Sequence, residues 1–396
     1  MVPFSCFHNF IRQLMLGYRL QHTAHGALWL IVLGSVLFCA CRPRVEDPTP
    51  LDLQIPHGFP TMLNVPADNP LTVEGVALGK MLFEDPHLCG YLGSDPDSLM
   101  CCADCHKRAH NFDIGTDDPR FPGGVPHGRT GVETRHNAMP LTNCVFNNEG
   151  YFWNGLVSHN NPNADQRSIE DIVRMAITAN DELCSTEERT VAAIRADSRY
   201  PVLFQKAFGT EEITMERIQM AIAQYVRSLV SGNSKFDRYL KGLEQLSPQE
   251  LHGYVLFTTE EGADCFHCHG SGGSPLFTTN LFYNNGLDAV FTDPSDRSSV
   301  TGDEMDRGAY RAPSLRNVAV SAPYMHDGRF KTLDEVLIFY NEGLQHSPYV
   351  SPLMHKLNEG GRHLTPSDIA DLKAFLQTLT DEEFLGMENG ELGAAS

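Results

Sequence analysis

The sequence predicts a mainly α fold made of two similar halves joined by long irregular loops. Three observations carry this reading. Cys-x-x-Cys-His occurs twice, at Cys102–His106 and at Cys265–His269. Capped, amphipathic helical segments stand before each copy and close each half. Between them run stretches rich in Gly, Pro, Asn and Asp with little periodicity, at 107–150 and 270–312.

The elements follow in order. Residues 72–85 read as a helix, with Val76, Leu78, Met81 and Leu82 at apolar positions and Pro86 as the stop. After the first motif and its loop, Ser168–Thr178 is helical. So is Thr214–Val230, with Ile218, Ala221, Ile222, Tyr225 and Leu229 on one face. Ser247-Pro248-Gln249-Glu250 opens the helix that leads to Cys265: Ser caps, Pro takes the first turn and Glu250 completes a capping box. Thr332–Tyr340 follows, and Thr365-Pro366-Ser367-Asp368 starts a last helix carrying Ile369, Leu372, Phe375, Leu376 and Leu379.

Cys-x-x-Cys-His is the attachment motif of a c-type haem. Two thiols bond the porphyrin, and the histidine on the same turn reaches the iron. Cys102, Cys105 and His106 would hold one haem; Cys265, Cys268 and His269 would hold the other. A zinc site needs a second pair close by to close a tetrahedron. A thioredoxin-like motif needs no trailing histidine. A helix before each motif and one at the end of each half is how a small cytochrome c domain encloses haem. The domains are therefore set at 61–232 and 233–386, preceded by a leader (1–41) and a linker (42–60) and followed by a tail (387–396).

Thirty basic against fifty acidic residues, a net charge of −20, argue against nucleic acid as a partner. They suit docking of a basic electron-transfer protein, and equally a merely soluble surface. Arg12 and Arg19 precede an apolar run from Ala27 to Ala40, too short to span a bilayer comfortably. Ala40 before Cys41 resembles a lipoprotein cleavage site, with plain secretory cleavage as the alternative. The expected location is the periplasm, with the membrane met only through a lipid anchor. Pro43, Pro48 and Pro50 suggest an extended tether. In such a compartment disulfides persist. Cys89, Cys101, Cys144 and Cys184 are expected to pair as Cys89–Cys101 and Cys144–Cys184, with free buried thiols as the alternative.

Several segments resemble the bacterial di-haem cytochrome c peroxidases and their MauG-like relatives. They are Ala312-Pro313-Ser314-Leu315-Arg316-Asn317, Ala322-Pro323-Tyr324-Met325-His326-Asp327-Gly328, Arg135-His136-Asn137, Tyr151-Phe152-Trp153-Asn154-Gly155 and Phe236–Gly242. The resemblance runs from Pro66 to Leu385 and implies two cytochrome c-type domains packed face to face across a calcium ion. It implies that hydrogen peroxide reacts at the N-terminal haem and that electrons enter at the C-terminal one.

The same resemblance assigns residues. Glu182 matches the distal acid/base, although Ile172 and Leu183 replace the glutamine and methionine that accompany it. Arg129 stands where some members carry a distal histidine, and His127 is two residues off. This implies an open iron above His106. Tyr340 falls at the sixth-ligand position of the second haem, with Met325 and Met354 as rivals. Trp153 matches the inter-haem relay. Asn137 and the carbonyls of Ser321 and Pro323 match the calcium ligands, and His326 a haem contact.

The implied function is an exported peroxidase drawing electrons from a small cytochrome or cupredoxin, with a homodimer as one allowed assembly. Two alternatives stay open. One is a MauG-like enzyme that oxidises side chains of a partner protein, although Ala263 stands where MauG carries a radical-transfer tryptophan. The other is a di-haem electron carrier without peroxide chemistry.

Overall fold

Polar caps decide where the helices begin, and apolar stripes decide how they pack. The computed structural model describes residues 47–95, 98–158, 167–270 and 273–387. The expected leader, with Cys41 as its expected lipid-attachment residue, and the expected tail from 388 lie outside the described residues. Residues 47–387 fall within one compact unit.

In the first half, α1 (Val73–Phe83) is capped by the Thr72 hydroxyl. α2 (Cys102–Cys105) is a single turn carrying the first motif. α3 (Ile169–Thr178) starts at a Ser168/Asp171 capping box. α4 (Glu187–Ala196) and α5 (Tyr200–Phe208) follow, and α6 (Met215–Ser228) closes the half. Sequence reading missed α4 and α5. α4 is weakly amphipathic and largely polar, so its tertiary contacts decide it; α5 hides its start behind Pro201.

In the second half, α7 (Lys235–Leu240) leads to α8 (Pro248–Phe257), which has the expected Ser247/Glu250 capping box. α9 (Phe266–His269) carries the second motif. After the short α10 (Ser298–Thr301) come α11 (Leu333–Glu342), α12 (Pro366–Gln377) and α13 (Glu382–Leu385). Among the described residues, sheet is confined to one antiparallel pair, β1 (Phe282–Tyr283) with β2 (Tyr310–Arg311), Phe282 facing Arg311.

Each half is built around one helix crossing: α1 on α6, and α8 on α12. Both crossings hinge on glycine. A Cβ on Gly79 would collide with the Ala221 carbonyl, and one on Gly253 with the Asp371 carbonyl. Two aromatic-rich cores result. Leu78, Leu82, Phe83, Phe112 and Ile222 belong to the first; Phe236, Phe257, Phe277 and Phe375 are at the centre of the second.

Two buried arginines brace these cores. Arg227 grips Glu170 through both guanidinium ends, at 2.6 and 2.8 Å. Arg316 grips Asp237 at 2.8 and 2.7 Å and stacks over the Phe59 ring.

Two expectations are corrected. The segment expected to be a tether is docked from Thr49 onward: Leu51 N–H donates to Leu71 O at 3.0 Å, Val73 N–H to Thr49 O at 2.9 Å, and Phe59 is buried. Apolar Leu53 and Phe59 find a core, which outweighs the stiffness of the prolines. The two expected disulfides are absent, since Cys89, Cys101, Cys144 and Cys184 are all free thiols. The Cys89 thiol faces the carbonyls of Pro86 and Ser98 instead. Cys144 packs against the first core, whereas the Cys184 thiol lies by the Asn180 side chain.

Candidate haem-binding site

Around the first motif, α2 presents Cys102 and Cys105 on one turn, and Asp104 accepts from the Cys101 N–H at 2.8 Å to fix its start. The His106 ring leaves this turn with Nδ1 2.8 Å from the Phe112 carbonyl. A carbonyl only accepts, so the proton sits on Nδ1 and the Nε2 lone pair is left for a metal. Burial lowers the ring's pKa and keeps it neutral. The second motif repeats the device. His269 Nδ1 donates to the Pro313 carbonyl at 3.1 Å, and burial pushes the ring down to about 4. Both histidines are thus poised as neutral nitrogen ligands, the chemistry that two c-type haems require.

Glu182 sits in the turn after α3. It lies beside the first motif: burial raises the thiols of Cys102 and Cys105, and the negative charge of Glu182 raises both further. Its own carboxyl is pushed up to about 7, by burial first and by neighbouring Asp181 second. Arg129 does not point into this space as a ligand. Its backbone N–H donates to Glu182 O at 2.8 Å, and its guanidinium donates to Leu183 O at 3.0 Å and Cys184 O at 2.9 Å. His127 is occupied with the Arg120 carbonyl at 2.8 Å.

At the second motif, Tyr340 on α11 is half-buried, close enough to the thiols of Cys265 and Cys268 to feel their charge. Burial raises its hydroxyl, the charges of Cys268 and Cys265 add to this, and Asn285 Nδ2 donates to the hydroxyl at 3.0 Å. Met325 and Met354 belong to the same apolar cluster, with Leu287, Phe339 and Leu344. The fold therefore brings the tyrosine and both rival methionines to one place.

Trp153 is buried. Its indole N–H donates to Asn137 O at 2.9 Å, and its own carbonyl accepts from Arg311 N–H at 2.7 Å. Asn137 Nδ2 donates to Pro323 O at 2.7 Å, while its buried Oδ1 has no partner. An orphaned amide oxygen beside a carbonyl is a donor set that a hard cation satisfies. Ser321 lies close by, its hydroxyl turned to Asn317 O at 2.9 Å.

His326 stacks face to face on Tyr310, ring centres 3.7 Å apart. Asp293 accepts from the Tyr310 hydroxyl and from His136 Nε2, each at 2.7 Å. These rings wall a cavity of about 290 Å³ that also holds Arg135, Asp288 and Arg329. Sequence reading missed Tyr310, Asp293 and Arg311. Arg311 is half-buried, bonded to Asn280 Oδ1 at 2.9 Å, and its buried Nε lacks a partner. Only its place after the loop, next to the Ala312-Pro313 motif, hinted at it.

The profile of the di-haem cytochrome c peroxidases matches residues 73–245. The methylamine utilization protein MauG of Methylorubrum extorquens is 33% identical over 326 residues, covering 80% of this chain and 81% of its own. The chain belongs to the di-haem cytochrome c peroxidase family. The cytochrome c551 peroxidase of Nitrosomonas europaea is 29% identical over 325 residues, with 81% and 84% covered. Among solved structures, a MauG-like protein associated with microbial copper homeostasis superposes with a TM-score of 0.69 at 32% identity, covering 85% of this chain and 97% of that one. The family supplies two c-type haems, and peroxidase-type oxidoreductase activity is the family's chemistry.

Proposed function

We propose that this protein is an exported di-haem peroxidase that reduces hydrogen peroxide to water with electrons from a small redox protein. The observation that carries the reading is Glu182, a half-buried carboxyl beside the first motif whose desolvation pushes it up to about 7. Cys102, Cys105 and His106 would hold the haem where peroxide binds; Cys265, Cys268, His269 and Tyr340 would hold the one that takes electrons from the donor. Bound haem supplies the redox equivalents and the iron face on which the O–O bond is cleaved. Glu182 takes the proton from one peroxide oxygen and returns it to the other, so that water leaves. Arg129 holds the backbone of the Glu182 turn in place. Leu183, buried, keeps that side of the pocket dry.

Between the halves, Trp153 offers the aromatic step for an electron, and the unpartnered Nε of Arg311 suits an anionic haem edge. Asn137 with the carbonyls of Ser321 and Pro323 would hold calcium. Cleavage before a lipidated Cys41 would place the protein at a membrane surface in the periplasm. No helix among the described residues is long and apolar enough to cross a membrane.

Steady-state oxidation of a reduced cytochrome c by peroxide is the test. Turnover that Glu182→Gln lowers about 10²- to 10⁴-fold supports the reading; no turnover, or none lost, sinks it.

A second reading, oxidation of a partner protein's side chains, draws on Tyr340. A phenolate favours higher iron oxidation states over a cycle fed by a soluble donor. Peroxide-dependent mass changes in a co-purifying partner, with poor cytochrome oxidation, would select it.

A further inference from the structure

At the second motif, three side chains that the haem assignment leaves unused converge on one point. Asp264 stands immediately before the second motif with positive φ (59°), and the side chain is 5% exposed. Its Oδ1 lies 2.6 Å from His267 Nδ1, and its Oδ2 lies 3.0 Å from His355 Nδ1. One donor atom from each of these three residues falls within 4.8 Å of the others. The two imidazoles meet edge to face, ring centres 5.0 Å apart. Two nitrogens and a carboxylate oxygen at this spacing are the donor set of a borderline-soft divalent ion.

We propose that Asp264, His267 and His355 bind a divalent transition-metal ion such as Zn²⁺ through both Nδ1 atoms and the carboxylate, leaving one or more positions to water. The ion replaces the two Nδ1 hydrogens, and each neutral ring keeps its proton on Nε2. A second observation favours this. Glu260 Oε1 lies 3.8 Å from His267 Nε2, too far for a hydrogen bond as it stands, and this largely exposed side chain would rotate closer to accept that proton and hold the ring. Arg362 opposes the ion, its Nη1 being 3.3 Å from Asp264 Oδ2. Its guanidinium is also bonded to the carbonyls of Gly262 and Glu260, so backbone acceptors hold it as well as Asp264. Bound metal would staple the 351–357 loop, which carries Met354, to the turn that carries the second haem.

Calorimetric titration of the haem-loaded protein with Zn²⁺ tests this. One site in the micromolar range is expected, weakened about 100-fold in His355→Ala and about tenfold in Glu260→Gln. His355 lies on an exposed loop, so its variant keeps the fold even if His267→Ala, inside the haem motif, does not. Absence of a micromolar site, or a site untouched in His355→Ala, would mean that Asp264 is only a hydrogen-bonded hub.

Discussion

A charged carboxylate is costly to take out of water, and half-buried Glu182, with Asp181 beside it, keeps its proton longer for that reason. An exposed glutamate releases its proton near 4.5, whereas this one does so at about 7. Between those values the folded state retains a proton that the unfolded state has lost, so stability falls as pH rises through the window. Glu182→Gln removes the charge. Its melting temperature should match the wild type at acid pH and exceed it above about 7. Acting as a base, Glu182 should also give peroxidase activity that rises through the same pH, and the rise should vanish in the glutamine variant. Melting and activity read the same group independently, so disagreement between them would separate burial from catalysis. The four thiols outside the motifs give a simpler residue-scale prediction. Alkylation of denatured, unreduced protein should label Cys89, Cys101, Cys144 and Cys184, and protection of any pair would restore the disulfide reading.

The elements that matter most are the two crossings and the arginine braces beside them. Gly253 lets α8 touch the backbone of α12. Alanine there should cost about 1–3 kcal/mol, because backbone rather than a flexible side chain must move. Thermal melts of Gly253→Ala would show it, and an unchanged melting temperature would mean that the crossing is loose. Arg316 is buried against Asp237. Arg316→Ala strands a buried carboxylate and should cost about 3–5 kcal/mol in denaturant unfolding. Replacing both partners by apolar residues of similar size should recover much of that loss, because the ion pair's desolvation is relieved as well.

Across the whole molecule, the halves are joined by a buried polar web. Asn317 Nδ2 donates to Asn111 Oδ1 at 2.9 Å and to Ser231 Oγ at 3.1 Å. Asp381 Oδ2 accepts from Ser231 Oγ, Gly232 N–H and Asn233 N–H at 2.9 to 3.0 Å. One carboxylate thus ties the strap at 231–233 to the start of α13. Asp381→Ala leaves four donors without that partner, the Phe384 N–H among them, and should destabilise the protein by about 2–4 kcal/mol. It should also split a single unfolding transition, followed by the two haem environments, into two. A single transition in the variant would show that the helical cores alone keep the halves cooperative.

Local chemistry alone marked the haem motifs, the cap at Ser247, the helix opening at Thr365 and the apolar faces of the long helices. Each depends on residues a few positions apart, which a linear chain displays directly. The family's matching segments added Glu182, Tyr340, Trp153 and Asn137 as named candidates. Only tertiary structure decided what depends on distant partners. That includes the burial that sets Glu182, the free state of the four thiols and the unpartnered atoms of Asn137 and Arg311. It includes the docking of the segment from Thr49 and the meeting of Asp264 with His355, 91 residues away. Burial, charge and ligand spacing arise from contacts across the fold, and no local pattern of residues encodes them.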